Sequence, residues 1–202
     1  MAKTIDFYFD FGSPNAYLVE AVLPGIAARH GAEIRRVPVL LGGLFKSTGN
    51  ASPMFRFADV AGKVAYLRTE MNRFVAKHNV PFLWNPHFPI LTTPLMRGAL
   101  VARGQAWEDA YRQVCYRHCW VEGSNMTDIA VIGEVLAREG LPAAEILEGI
   151  QTPEVKAALF ASTEEAANRG AFGVPTMFVG DEMFFGKDAL GDLEDALADT
   201  GA

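Results

Sequence analysis

The feature that most limits how this chain can fold is a pair of short turns set far apart. Phe11-Gly12-Ser13-Pro14 stands near the N-terminus and Gly173-Val174-Pro175-Thr176 near the C-terminus. Before the first turn, Ile5 to Phe11 alternates bulky and polar residues as a strand does. After it, an apolar-periodic segment over residues 16–30 reads as a helix opened by Ser13-Pro14. Ser13 therefore falls at a helix N-terminus, where free N–H groups and the helix dipole favour negative charge. Ser as N-cap followed by Pro at N1 is also an ordinary way to begin a helix, so capping alone accounts for both residues. After the second turn, Thr176-Met177-Phe178-Val179 and Glu182-Met183-Phe184-Phe185 flank Gly180-Asp181, which is a hairpin signal.

Between these ends the pattern changes. Residues 33–40 read as a second strand, giving a β-α-β start with a right-handed crossover. Gly42 to Asn50 reads as a flexible Gly-rich connection and lacks the Gly-Lys-Ser/Thr ending of a P-loop. Over 52–171 the spacing is helical: Val60, Val64, Leu67, Met71, Phe74 and Val75 form one stripe, and Thr93-Pro94 reads as an N-cap with Pro at N1. Further helices are predicted over 107–121, 127–138, 143–150 and 153–168, and Gly186-Lys187-Asp188 precedes a last helix carrying Leu190, Leu193 and Leu197. This order predicts an α/β protein with a thioredoxin-like fold and a DsbA-like all-helical insertion. Residues 1–51 and 172–202 would form the thioredoxin-like domain, and 52–171 the insertion.

That fold gives the two turns a chemical meaning. In a thiol–disulfide oxidoreductase the position of Ser13 holds the first Cys of a C-x-x-C motif, acidified by the helix end. Here the residues are Ser13, Pro14, Asn15 and Ala16, so no redox pair exists. The Val174-Pro175 bond is expected to be cis, offering the Val174 backbone to an extended peptide, although a Pro at an edge-strand start needs no such role. A thiol-bearing peptide clamped there would face Ser13, whose hydroxyl can donate to a thiolate. Gly186-Lys187-Asp188 is either a plain turn or a site where helix N–H groups take an α-carboxylate and Asp188 an α-amino group. A serine hydrolase is disfavoured, since no His lies near Ser13 in sequence and no G-x-S-x-G elbow occurs.

Composition narrows the classes further. Half of the 202 residues are hydrophobic, enough for a real core. Eighteen basic residues against twenty-four acidic ones give a net charge of −6 without a Lys/Arg cluster, which argues against nucleic acid. The N-terminus enters a strand with no apolar signal core, and there is no apolar run of about eighteen residues, so a soluble cytoplasmic protein without membrane contact is expected. Cys115 and Cys119 are too few for a disulfide framework. Their helical spacing, with His118 turned away from Cys115, assembles no metal site, and both read as core residues. Phe55, Phe57, Phe82, Trp84 and Phe88 are either core or the walls of an aromatic pocket between two lobes.

The residues 6–14, the Gly42 to Asn50 loop, Gly173-Val174-Pro175-Thr176-Met177-Phe178 and Gly180 to Asp188 together resemble the 2-hydroxychromene-2-carboxylate isomerase family. The related kappa-class glutathione transferases share most of the pattern. The resemblance implies glutathione as cofactor, a homodimer, and a small aromatic carboxylate from aromatic catabolism as substrate. By motif, Ser13 is the catalytic residue facing the glutathione sulfur, and Val174 with Pro175 supplies the backbone clamp. Lys187 and Asp188 take the γ-glutamyl end, Asn50 reaches glutathione or substrate, and Lys46, Trp84 and Asn85 join Asn50 around the substrate. One departure is Phe184-Phe185 and Ala189 where the family often has an aromatic pair with Trp and an Arg. The implied reaction is isomerisation of 2-hydroxychromene-2-carboxylate, or a related ring-cleavage product, to trans-o-hydroxybenzylidenepyruvate by transient thiolate addition. A kappa-like glutathione transferase and a non-catalytic peptide-binding module are the alternatives. Lys46, Arg56 or Arg97 would supply a cation for the substrate carboxylate.

Overall fold

A computed structural model describes residues 3–198, so positions 1–2 and 199–202 of the domain division above lie outside the described residues. The first strand, β1 (Thr4–Phe9), is buried from Ile5 onward. It is followed by α1 (Pro14–Arg29), β2 (Glu33–Pro38) and α2 (Leu41–Thr48). Then come α3 (Pro53–Arg56), α4 (Lys63–His78), α5 (Thr93–Ala102), α6 (Glu108–Trp120), α7 (Ile129–Arg138), α8 (Ala143–Gly149) and α9 (Pro153–Asn168). The chain closes with β3 (Thr176–Val179), β4 (Glu182–Phe185), a 3-10 turn (Lys187–Ala189) and α10 (Leu190–Ala198). The sheet order is β2-β1-β3-β4, with β2 parallel to β1 and β3 and β4 antiparallel to their neighbours.

Strand alternation divides the core. Ile5, Phe7 and Phe9 point to the face covered by α1 and α10, where Leu18, Leu23, Leu190 and Leu193 meet them, and this cluster continues into the helical block. Tyr8 and Phe178 point to the other face, packed with Val39, Leu44 and Ala166 beneath α2 and α9. On that face Asp6 is held by Arg35 at 2.7 Å and Arg169 at 2.6 Å. Burial raises the Asp6 pKa, but the two guanidinium groups outweigh it and hold the carboxyl below its ordinary value.

The structure corrects several expectations. Residues 41–48 form helix α2, not a flexible connection, and the helix stops at Gly49 with φ 68°. Its second glycine serves packing: a Cβ on Gly43 would sit 2.9 Å from Thr163 Cγ2 on α9, so glycine there permits the close approach. The fifth helix starts at Thr93, one residue before the expected N1, and the Thr92 hydroxyl makes no cap; it donates to Asp10 at 2.5 Å. Val60 lies outside α4 and is exposed, whereas Leu67, Met71 and Phe74 keep the expected stripe. Cys115 and Cys119 are free and fully buried, and burial pushes the Cys115 thiol up to about 12 despite a hydrogen bond with Tyr111. Among the described residues no helix is long and apolar enough to cross a membrane.

Candidate active site

At the end of the sheet where β1 runs into α1, a cleft of about 480 Å³ opens between the two sequence turns and the α3–α4 segment. Its floor is the Phe11-Gly12-Ser13 turn, and nearly every polar group of that turn is fixed. The Phe11 N–H points at Met96 Sδ, 3.3 Å away, and the Phe11 carbonyl accepts the Trp120 indole N–H at 2.7 Å. Gly12 and Ser13 donate their N–H groups to the side chain and carbonyl of Asp10 at 2.9 and 3.0 Å.

Asp10 is the centre of this arrangement. Besides Gly12 it accepts the Leu41 N–H at the start of α2 (2.8 Å) and the Thr92 hydroxyl (2.5 Å). One side chain therefore joins β1, α2 and the approach to α5. Burial pushes the Asp10 carboxyl above its ordinary value, opposed by these three hydrogen bonds. The expectations from sequence missed Asp10. Its signal is an Asp two residues before a Gly, the spacing of an Asx turn.

Ser13 is the N-cap of α1 and is 5% exposed. Its hydroxyl accepts the Ala16 N–H at 3.2 Å and donates to the Val174 carbonyl at 3.2 Å. Capping and contact with the second turn are thus properties of the same oxygen. The Val174–Pro175 bond is cis, as is Phe88–Pro89, which the sequence reading did not anticipate. The Pro175 carbonyl accepts the Gly186 N–H at 2.9 Å, while the Val174 N–H has no hydrogen-bond partner among the described residues. The site thus offers a backbone edge at Val174 beside a hydroxyl and the N-terminus of a sixteen-residue helix.

The other candidates fall in three groups. Lys187 and Asp188 line the cleft and pair with each other at 2.6 Å, with Lys187 buried and its ammonium 5.7 Å from the Phe74 ring centre. Asn50 and Trp84 also line it. The Asn50 amide is already engaged, donating to the Phe172 carbonyl at 2.8 Å and accepting the Ala51 N–H at 2.8 Å, so it braces the segment leading to Val174. Trp84 meets Phe88 at a tilt of 56° and lies beneath the Arg68 guanidinium, 5.3 Å from its ring centre.

Lys46 and Asn85 are corrections. Lys46 is exposed on α2 away from the cleft lining. Asn85 is buried behind Trp84, where its amide donates to the Cys119 and Ser124 carbonyls at 2.8 and 3.0 Å and its oxygen accepts the His87 N–H at 2.7 Å. Of the three cations considered for a carboxylate, Arg56 lines the cleft, whereas Arg97 does not and keeps its Nε buried without a partner. Phe57, Trp84 and Phe88 form aromatic wall. Phe82 packs against Tyr17 and Trp120, and Phe55 is exposed.

This geometry defines a DsbA-like thioredoxin domain, and the family model described as a DSBA-like thioredoxin domain matches residues 4–198. A more specific relationship runs over the whole chain. The 2-hydroxychromene-2-carboxylate isomerase of Sphingobium xenophagum is 34% identical over 199 residues, covering 98% of this chain and 100% of that one. A solved 2-hydroxychromene-2-carboxylate isomerase superposes with a TM-score of 0.84 at 29% identity, covering 96% and 94% of the two chains. The chain belongs to the 2-hydroxychromene-2-carboxylate isomerase family. It is also similar to human glutathione S-transferase kappa 1, with 25% identity over 94% of this chain and 88% of the relative.

Proposed function

We propose that this protein is a glutathione-dependent isomerase that converts 2-hydroxychromene-2-carboxylate, or a related aromatic ring-cleavage product, to trans-o-hydroxybenzylidenepyruvate. The observation that carries this reading is the Ser13 hydroxyl set against the Val174 carbonyl at a helix N-terminus, with no Cys at position 13 or 16. It is joined by family membership along the full chain.

The residues present fit a thiol peptide. Val174 offers an open N–H and a carbonyl for an added strand, and the α1 N-terminus favours an anion beside Ser13. Asp188, exposed and lining the cleft beside the buried Lys187, offers a carboxylate to the α-amino group of a γ-glutamyl end. When bound, glutathione would supply the thiolate for transient addition to the ring-opened conjugated substrate. Ser13 now spends its proton on the Val174 carbonyl. A peptide N–H pairing with that carbonyl frees the hydroxyl to donate to sulfur, while its oxygen still caps α1. The aromatic walls hold the ring and exclude water. The reading carries with it a homodimer, a cytoplasmic location and the two-part division of the chain at 51/52 and 171/172.

Titration of glutathione into the protein, following thiolate absorbance against pH, tests the reading. The bound thiol is expected to ionise well below the value of about 8.5 usual for a free Cys, with isomerisation of the chromene carboxylate under the same conditions. Binding without that shift would overturn it, and an accumulating conjugate in place of isomer would make the protein a transferase.

A further inference from the structure

We propose that Asn15 is a second contact for the bound thiolate, its side-chain amide and backbone N–H donating to sulfur beside the Ser13 hydroxyl; this rests on the glutathione reading above. The N–H groups at the start of α1 lead to it. Pro14 has none, Ala16 gives its N–H to the Ser13 hydroxyl oxygen, and Tyr17 gives its own to the Ser13 carbonyl, each of the two at 3.2 Å. Among the described residues the Asn15 N–H has no partner. The pull of this helix end on an anion in the cleft therefore falls on one residue.

The Asn15 side chain is a separate observation. Among the described residues three side-chain atoms are buried without a hydrogen-bond partner, namely Asn15 Oδ1, Arg97 Nε and the Tyr116 hydroxyl oxygen. Of these three residues only Asn15 lines the cleft. Its amide nitrogen has no protein partner either and is the open end of a half-buried side chain. A buried oxygen left unpaired costs stability, which an apolar side chain of the same shape would avoid. Helix formation does not call for Asn either, since past the N-cap it competes with the backbone for hydrogen bonds. What the arrangement gains is an NH2 group on the cleft lining, two residues from Ser13. Ser13 has a single proton to give, now directed at the Val174 carbonyl at 3.2 Å. Two further N–H donors on the same helical turn complete the surroundings of a sulfur anion, and hydrogen bonds to a charged acceptor are the strong kind.

Glutathione and S-methylglutathione, titrated into the full chain and into its Asn15→Leu and Asn15→Asp variants, test the assignment. Thiolate absorbance in the ultraviolet should show the bound thiol of Asn15→Leu ionising about one pH unit or more above that of the unaltered protein. Asn15→Asp, which sets a carboxylate beside the sulfur, should raise it further. At neutral pH Asn15→Leu should bind glutathione about tenfold more weakly, yet bind S-methylglutathione, which has no sulfur proton to lose, as the unaltered protein does. Its melting temperature should be unchanged or higher, because an unpaired buried oxygen is gone. If Asn15→Leu does not fold, the Asn15→Asp shift decides alone. A bound thiol that ionises at the same lowered pH in Asn15→Leu overturns the proposal and leaves the isomerase reading standing. Equal weakening of both ligands also overturns it, by assigning the amide to the peptide. A shift that depends on Asn15 in a protein that does not isomerise the chromene carboxylate keeps the thiolate contact and discards the isomerase reading. A bound thiol that ionises at its ordinary value in the unaltered protein overturns both.

Discussion

The floor and the outer wall of the cleft are built in opposite ways. On the floor, the Phe11-Gly12-Ser13 turn is fixed by Asp10, Met96 and Trp120, drawn from three separate parts of the chain. On the wall, α4 buries only Met71 fully, α3 buries nothing, and Phe55 and Tyr66 stand largely exposed. Rigid placement of a nucleophile's partner calls for the first kind of construction. Admission of a flat aromatic ligand calls for the second, since few buried contacts leave a segment able to open at low cost.

The contrast is breakable. The largest effect is expected from Asp10→Ala, which strands the Leu41 and Gly12 N–H groups and the Thr92 hydroxyl. Loss of about 3 kcal/mol or more of stability should appear in urea unfolding, with activity lost as well. A loss under about 1 kcal/mol would show that the floor does not hang on this carboxylate.

Next in size is Ser13→Ala. Turnover should fall about a hundredfold while glutathione still binds, and stability should drop by about 1 kcal/mol through the lost cap. Unchanged turnover in a steady-state assay removes Ser13 from the mechanism.

On the wall, Phe57→Ala should cost less than about 1 kcal/mol of stability yet raise KM several-fold with kcat little changed. A stability loss matching that of Asp10→Ala would erase the distinction between floor and wall.

The smallest effect concerns pH. Asp6 and Asp10 lie on or just beyond the same strand and shift in opposite directions. The lowered Asp6 value means that its stabilising contribution is fully present above the ordinary 3.8 and is lost as pH falls through the depressed folded value. Asp6→Asn should therefore flatten that part of the acid unfolding curve. The raised Asp10 value has the reverse sign, its contribution weakening as pH rises from 3.8 through the elevated folded value.

The contact between the two turns was readable because each carries its own local chemistry: a Ser-Pro helix start and an X-Pro step before a hairpin. The longer helices were readable from apolar spacing. Helix α2 was not, because Gly42-Gly43 looks like a breaker until α9 comes close enough to require glycine at position 43. Asp10 was passed over as a strand residue, since two of its three side-chain partners, Leu41 and Thr92, are remote in sequence. Asn85 looked like a ligand by position, yet the fold spends its amide on the carbonyls at the end of α6 and beyond.

By itself, then, the sequence determined which backbone could form: strand, capped helix, hairpin, and a hydroxyl where a thiol would otherwise stand. Those outcomes follow from steric and hydrogen-bonding preferences that act over a few residues. The tertiary structure alone decided which polar groups remain open to a ligand. Among the described residues the Val174 N–H and the Arg56 guanidinium have no partner, while Asn50, Asn85 and Lys187 are engaged. A side chain's availability depends on the partners that distant segments bring to it, and local sequence carries no record of them.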